Sequence, residues 1–202
     1  MNLFAEGKIM RLLTTLWDVM YMSILWVVFS IPIVTIGAST TALYYVATKK
    51  VTNREGTYII QDFWRSFRGN FIQSTISFLL LVVVGGIIWG NFMLLNQMEF
   101  GAFGFVVRLV LMFVAIQLLF LTTVIFAVIA RFELTLMPAL KASFSLANKH
   151  LLTTVGNITI LLGILYITLR APVIILFSMG IYCYISSFAL VKIFKKNNAD
   201  FE

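Results

Sequence analysis

Hydrophobic positions in this chain run on without interruption instead of alternating or keeping to one helical face. Uncharged stretches cover residues 19–48, 69–98, 109–130, 151–169 and 171–191. A helix that crosses a bilayer needs about 20 apolar residues, so each stretch predicts a crossing. The spans fall near 17–36 (extending to 48), 74–95, 108–130, 152–169 and 172–191. The fold class is therefore all-α: a polytopic transmembrane helical bundle of about five spans in a single integral membrane domain, residues 1–202.

Between spans the pattern changes period. Ile60, Phe63, Trp64, Phe67 and Phe71 recur at helical spacing, with Gln61, Asp62, Arg65 and Arg68 on other faces. Leu140, Phe144, Ala147 and Leu151 repeat the stripe, with Lys141, Ser145, Asn148 and Lys149 opposite and Pro138 near the start. Both read as amphipathic interfacial helices. A span, a surface helix and a returning span thus occur twice, and Arg65-Ser66-Phe67 matches Ala142-Ser143-Phe144 in place, which points to an internal repeat of parallel orientation.

The first span is broken. Residues 30–44 put Pro32, Gly37 and a hydroxyl cluster, Thr35, Ser39, Thr40 and Thr41, inside an apolar run. Backbone released from helical bonding at depth survives only where protein or a wet cavity satisfies it. Pro32, Thr35, Gly37 and Ser39, with Phe63, Trp64, Phe67 and Phe144 on the surface helices, are accordingly the expected packing or partner interface. Gly85, Gly86, Gly156 and Gly163 are further positions where helices could approach closely.

Composition sharpens this picture. The chain is 61% hydrophobic and 11% charged, against about 25% charged in soluble domains. Its net charge of +7 fits loops that hold membrane orientation and not nucleic-acid binding. Lys and Arg fall two before the first span, then five, one, three, one and three along the successive connections and the C-terminal tail. The positive-inside rule makes the two longer basic loops and the C-terminus cytoplasmic, which in a five-span reading leaves the N-terminus outside. Lys8 and Arg11 argue the other way. The rival topology folds 19–48 back on itself at the Pro32–Gly37 break, because 30 residues make about 45 Å of helix, too long for one upright crossing. In the N-out reading Asp18, Glu99, Arg108 and Arg170 share the outer side.

Candidate chemistry is sparse. His150 is the only histidine and sits beside Lys149 at the end of a surface helix, and no serine–histidine pair, aspartate pair, helical metal motif or Walker-type glycine loop occurs. The expectation is a non-enzymatic protein with no cofactor and no metal. Cys183 lies within the last span and reads as packing.

Pro32 to Tyr44, Asp62-Phe63-Trp64-Arg65-Ser66-Phe67 with Asn70-Phe71, and Ala130-Arg131-Phe132 together resemble the YesL-like family of small bacterial membrane proteins, a domain of unknown function. The resemblance covers nearly the whole chain. It implies a multi-pass protein of the bacterial plasma membrane from a carbohydrate-utilisation locus, and supplies no catalytic residues. The expected function is an accessory or regulatory membrane subunit of a carbohydrate ABC importer. Its partners would be the lipid bilayer, the permease subunits and the associated ATPase or binding protein. The alternatives are a stand-alone small-solute (sugar) carrier or channel and a structural membrane assembly protein.

Overall fold

The computed structural model describes residues 3–52, 58–97, 101–132 and 134–197; Arg54, Glu55 and Glu99 lie outside these, and of Lys8 and Arg11 only the helical backbone is described. Among the described residues eight α-helices follow in order: α1 (Leu3–Phe29), α2 (Ile36–Val51), α3 (Ile59–Gly69), α4 (Phe71–Gln97), α5 (Gly101–Phe132), α6 (Leu136–Lys149), α7 (Leu151–Arg170) and α8 (Ile175–Asn197). Four carry segments long and apolar enough to cross a membrane, Phe71–Leu95, Phe103–Phe132, Leu151–Arg170 and Leu176–Lys196, and α1 carries the shorter apolar segment Leu13–Phe29.

The first apolar stretch does not pass through as one span. Asp18 of α1 pairs with Lys50 of α2, and the Trp26 indole N–H donates to Thr40 Oγ1 at 3.0 Å. Early α1 residues therefore face late α2 residues, and the two helices form an antiparallel hairpin. The reversal is built from Pro32 and a 3-10 turn, Ile33–Thr35. The Thr35 hydroxyl, 2.6 Å from both the Phe29 and Pro32 carbonyl oxygens, caps groups that the break frees. Gly37, just past the turn, lies against Ser74 and Phe78 in the first turns of α4. Since α4 continues to Gln97, the turn sits within the thickness of the bundle, about 28 Å short of the far end of α4.

This corrects the continuous first span in favour of the fold-back, which puts both ends of the hairpin at one end of the bundle. The α6–α7 junction meets the end of α8, where Lys196 acts on His150 and Phe132 packs edge-on to Phe194 at 5.4 Å. One end of the bundle thus gathers the start of α1, the ends of α2, α5 and α8, and both short helices. Lys49, Lys50, Arg65, Arg68, Arg131, Lys141, Lys149, Lys192, Lys195 and Lys196 cluster there, and the α1 turns holding Lys8 and Arg11 point the same way. Arg108 and Arg170 are at the opposite end. Asp18 belongs with the basic end, not with those two.

Tight packing is concentrated at the basic end. α2 is buried from Gly37 to Tyr44 and again at Val46 and Ala47, enclosed by residues 123–130 of α5 and by Tyr182, Cys183, Leu190 and Phe194 of α8. Toward the opposite end α4, α5 and α7 present Ile87, Trp89, Phe103, Phe113 and Leu165 outward.

The parallel repeat is visible, in a register the tripeptide match does not give. Asp62, Phe63, Ser66, Phe67, Ser74 and Ser77 are buried, and so are Ala142, Ser143, Leu146, Ala147, Thr154 and Asn157, each 80 positions later. The helix breaks coincide as well: Asn70 N–H bonds the Ser66 carbonyl at 3.0 Å and His150 N–H the Leu146 carbonyl at 3.1 Å. The units α2–α3–α4 and α5–α6–α7 are therefore equivalent at this offset. The sequence register pairs buried Phe67 with Phe144, which is 52% exposed.

Candidate functional site

α2 is the polar centre of the bundle. Ser39, Thr40 and Thr41 turn their hydroxyls back onto carbonyls four residues earlier, at 3.0, 2.7 and 3.0 Å, which satisfies them inside an apolar bundle. Two reach across as well: Thr41 lies 2.8 Å from the Ser74 hydroxyl of α4, and Thr40 receives the Trp26 indole. Further along, the Tyr44 hydroxyl is 3.4 Å from Ser186 Oγ on α8.

Of the expected interface residues, Thr35, Gly37 and Ser39 serve the protein's own hairpin. Pro32 is exposed at its tip beside Ile31 and Ile33, which are 75% and 71% exposed. Phe63 and Phe67 are buried and form a ring cluster with Phe29 at 5.4 and 5.2 Å, pinning the end of α1 beneath α3. Trp64 joins the cluster through Phe29 at 5.7 Å yet remains 45% exposed, and Phe144 faces outward.

The faces of the two short helices are rotated from the sequence expectation. On α3 the buried face carries Asp62 and Ser66 with the phenylalanines, while Ile60 and Trp64 turn outward. On α6 it carries Ala139, Ala142, Ser143, Leu146 and Ala147, and Leu151 at the following helix start is exposed. In lipid no hydrophobic force drives helices together, so small residues occupy the contact and large apolar ones face the bilayer. Asp62 is tolerated inward because both of its oxygens meet the Lys49 ammonium, at 2.7 and 2.8 Å, and the Tyr58 N–H bonds it at 3.1 Å.

Gly85, Gly86, Gly156 and Gly163 do not mark close approaches: an added Cβ meets ordinary contact at Gly85 and nothing within 4 Å at the other three. Gly180, which the sequence reading missed, does. It sits against Val19 and Ser23 of α1, and its N–H bonds Ser23 Oγ at 2.9 Å. The available signal was the small pair Ser178 and Gly180 within an apolar run.

At the junction of the two repeat units a cavity of about 320 Å³ is lined by Thr40, Tyr44, Thr122, Thr123, Met179 and Tyr182, among others. Elsewhere in the bundle Ser77 Oγ and Asn157 Nδ2, equivalent positions of the repeat, are buried without a hydrogen-bond partner, as is Ser187 Oγ. His150, outside the spans, is pushed below its ordinary pKa by desolvation and then by Lys196 and Lys149. Among the described residues no cluster of His, Cys, Asp and Glu could hold a metal ion. Cys183 is buried and unpaired.

The fold defines a multi-pass helical membrane protein organised around a hairpin that turns back inside the bundle. Residues 19–92 match the family described as "Protein of unknown function, DUF624", which bears out the family resemblance carried by the Pro32–Tyr44 and Asp62–Phe71 motifs. The chain is also similar to the uncharacterized protein YteU of Bacillus subtilis (strain 168), 21% identical over 184 residues that cover 88% of this chain and 82% of YteU. No solved structure matches it.

Proposed function

We propose that this protein is a non-catalytic accessory or regulatory membrane subunit that assembles with a carbohydrate ABC importer in the bacterial plasma membrane, with its basic end in the cytoplasm. The observation that carries the subunit reading is the unused apolar surface. α4 and α5 continue past the tight core as a two-helix extension whose Ile87, Trp89, Phe103 and Phe113 contact little of the chain itself, a form suited to lie against other membrane helices. On α3 and α6, by contrast, Phe63, Phe67, Leu146 and Ala147 are used inside the bundle. The basic end supports cytoplasmic placement through the positive-inside rule, and the importer as partner follows from the family resemblance. A tagged copy captured from native membranes in gentle detergent brings down the importer permease. Capture without any permease or its ATPase removes the reading.

A stand-alone small-solute carrier is the second reading, favoured by one observation: the hydroxyl-bearing cavity at the junction of two parallel repeats, beside a broken helix. Purified protein in proteoliposomes then gives sugar flux above empty vesicles, and flux equal to empty vesicles rejects it.

A further inference from the structure

A second cavity, unrelated to the hairpin core, opens at the α3–α4 junction on the basic end. It measures about 320 Å³ and is lined by Tyr45, Arg65, Ser66, Gly69, Asn70 and Gln73. Its walls are polar where the mid-bundle cavity is mostly apolar. We propose that this cleft binds a phosphate group, presented either by an anionic phospholipid headgroup or as a free anion.

Four observations converge on that chemistry. First, Arg65 brings a guanidinium to the cleft that makes no ion pair with any described residue, and its planar fork matches phosphate oxygens. Second, Asp62, the acid on α3, is already neutralised by Lys49 at 2.7 Å, and no carboxylate among the described residues lines the cleft. Third, the cleft abuts the start of α4, a helix of 27 residues, whose first-turn N–H groups lack intrahelical acceptors and can donate to an anion, while the carbonyl end of α3 at Gly69 offsets the dipole of α4. Fourth, Gly69 leaves the wall open: an added Cβ there meets nothing within 4 Å.

The repeat provides an internal comparison. Eighty positions on, Arg65, Ser66 and Gln73 correspond to Ser145, Leu146 and Thr153, so the α6–α7 junction forms the same break without the arginine or the glutamine. The packing of the fold does not require them. A headgroup suits the cleft, because the same helix α3 turns Ile60 and Trp64 outward while Arg68 sits over the Trp64 ring at 5.9 Å, an interfacial pattern.

Native mass spectrometry of the whole chain in mild detergent, with dioleoyl phosphatidylglycerol and dioleoyl phosphatidylcholine as separate probes, and calorimetry with inorganic phosphate test the proposal. Wild type is expected to prefer phosphatidylglycerol. Arg65→Gln and Gly69→Leu weaken that binding by about tenfold or more, the scale of one charged hydrogen bond, while Arg65→Lys, which keeps the charge but not the fork, falls between wild type and Arg65→Gln. Phosphate binding that falls in the same variants, without a preference between the lipids, supports the site with a free anion as occupant. Gly69→Leu fills the cleft with Arg65 intact, so it reads the site even where Arg65→Gln folds poorly. No binding of either anionic probe by wild type overturns the proposal. So does equal binding by Arg65→Gln, or an equal loss in Arg68→Gln, which removes the same charge three residues away outside the cleft.

Discussion

Replacing Gly37 by alanine adds a single methyl group at one of the two closest helix contacts among the described glycines, the other being Gly180. That methyl would overlap the Ser74 carbonyl oxygen and lie 2.7 Å from Phe78 Cβ, where ordinary contact begins at 3.4 Å. Neither neighbour can rotate away, because one is backbone and the other the first atom of its side chain. α2 and α4 must separate by roughly 0.7 Å or more, and overpacking of this kind costs about 1–3 kcal/mol. The Thr41–Ser74 hydrogen bond, 2.8 Å and one turn along, loosens with the same movement, adding about 0.6 kcal/mol, the average for such bonds in membranes. The expected loss of about 2–4 kcal/mol corresponds to a melting temperature lower by roughly 5–15 °C for a chain of this size. Thermal melting of detergent-solubilised protein, followed by tryptophan fluorescence and size exclusion, measures it. Gly86→Ala and Gly163→Ala are the controls: an added Cβ meets nothing at either site, so each is neutral or gains up to about 1 kcal/mol from helix propensity. Melting of Gly37→Ala alongside Gly86→Ala would refute the reasoning. Membrane insertion, set by segment hydropathy, is unchanged in all three.

Other consequences are equally direct. In a Cys183→Ala background, single cysteines at Leu13 and Lys195 are labelled by an impermeant maleimide from the same side of the membrane and one at Arg170 from the other; labelling of Leu13 and Lys195 from opposite sides rejects the hairpin. Asp62→Asn removes the carboxylate charge that faces the half-buried Lys49 ammonium and lowers stability by about 2–3 kcal/mol, whereas Lys49→Met with Asp62→Leu recovers part of that loss, as a double-mutant cycle in chemical denaturation measures. His150 titrates below its ordinary value of 6.5, so the unfolded chain takes up its proton first as pH falls. Stability contributed at this site is present above about pH 6.5 and declines as pH drops below it; His150→Gln flattens that part of the pH–melting curve. Lys196→Gln raises the His150 pKa, read by NMR, and an unmoved value shows that Lys196 does not act there.

How far the molecule could be read in advance depends on which force acts at each position. The apolar runs were legible because bilayer insertion is set by local composition. The hairpin was legible only as an alternative. Lys8 and Arg11 signalled it, but the geometry that decides it, Asp18 against Lys50 and Trp26 against Thr40, joins residues that sequence distance cannot pair. The surface-helix faces were misread because hydrophobic periodicity marks the buried face in water. At a bilayer boundary it marks the lipid-facing one as well, so Phe144 and Trp64 turn outward while Asp62 and Ser66 turn in. The repeat was seen through Arg65-Ser66-Phe67, yet its register follows burial and not residue identity.

The sequence by itself determined that this is an all-helical, multi-pass membrane protein with a broken first span and basic connections, since those properties follow from local hydropathy, charge and backbone chemistry. Only the tertiary structure decided that the break reverses the chain and places both ends of the hairpin at the basic end. It alone separated Gly37 and Gly180 from glycines that touch nothing, and brought Arg65, Asn70 and Gln73 around one cleft. Those outcomes depend on which surfaces meet across the bundle, and in lipid that is settled by close packing and hydrogen bonding between distant segments.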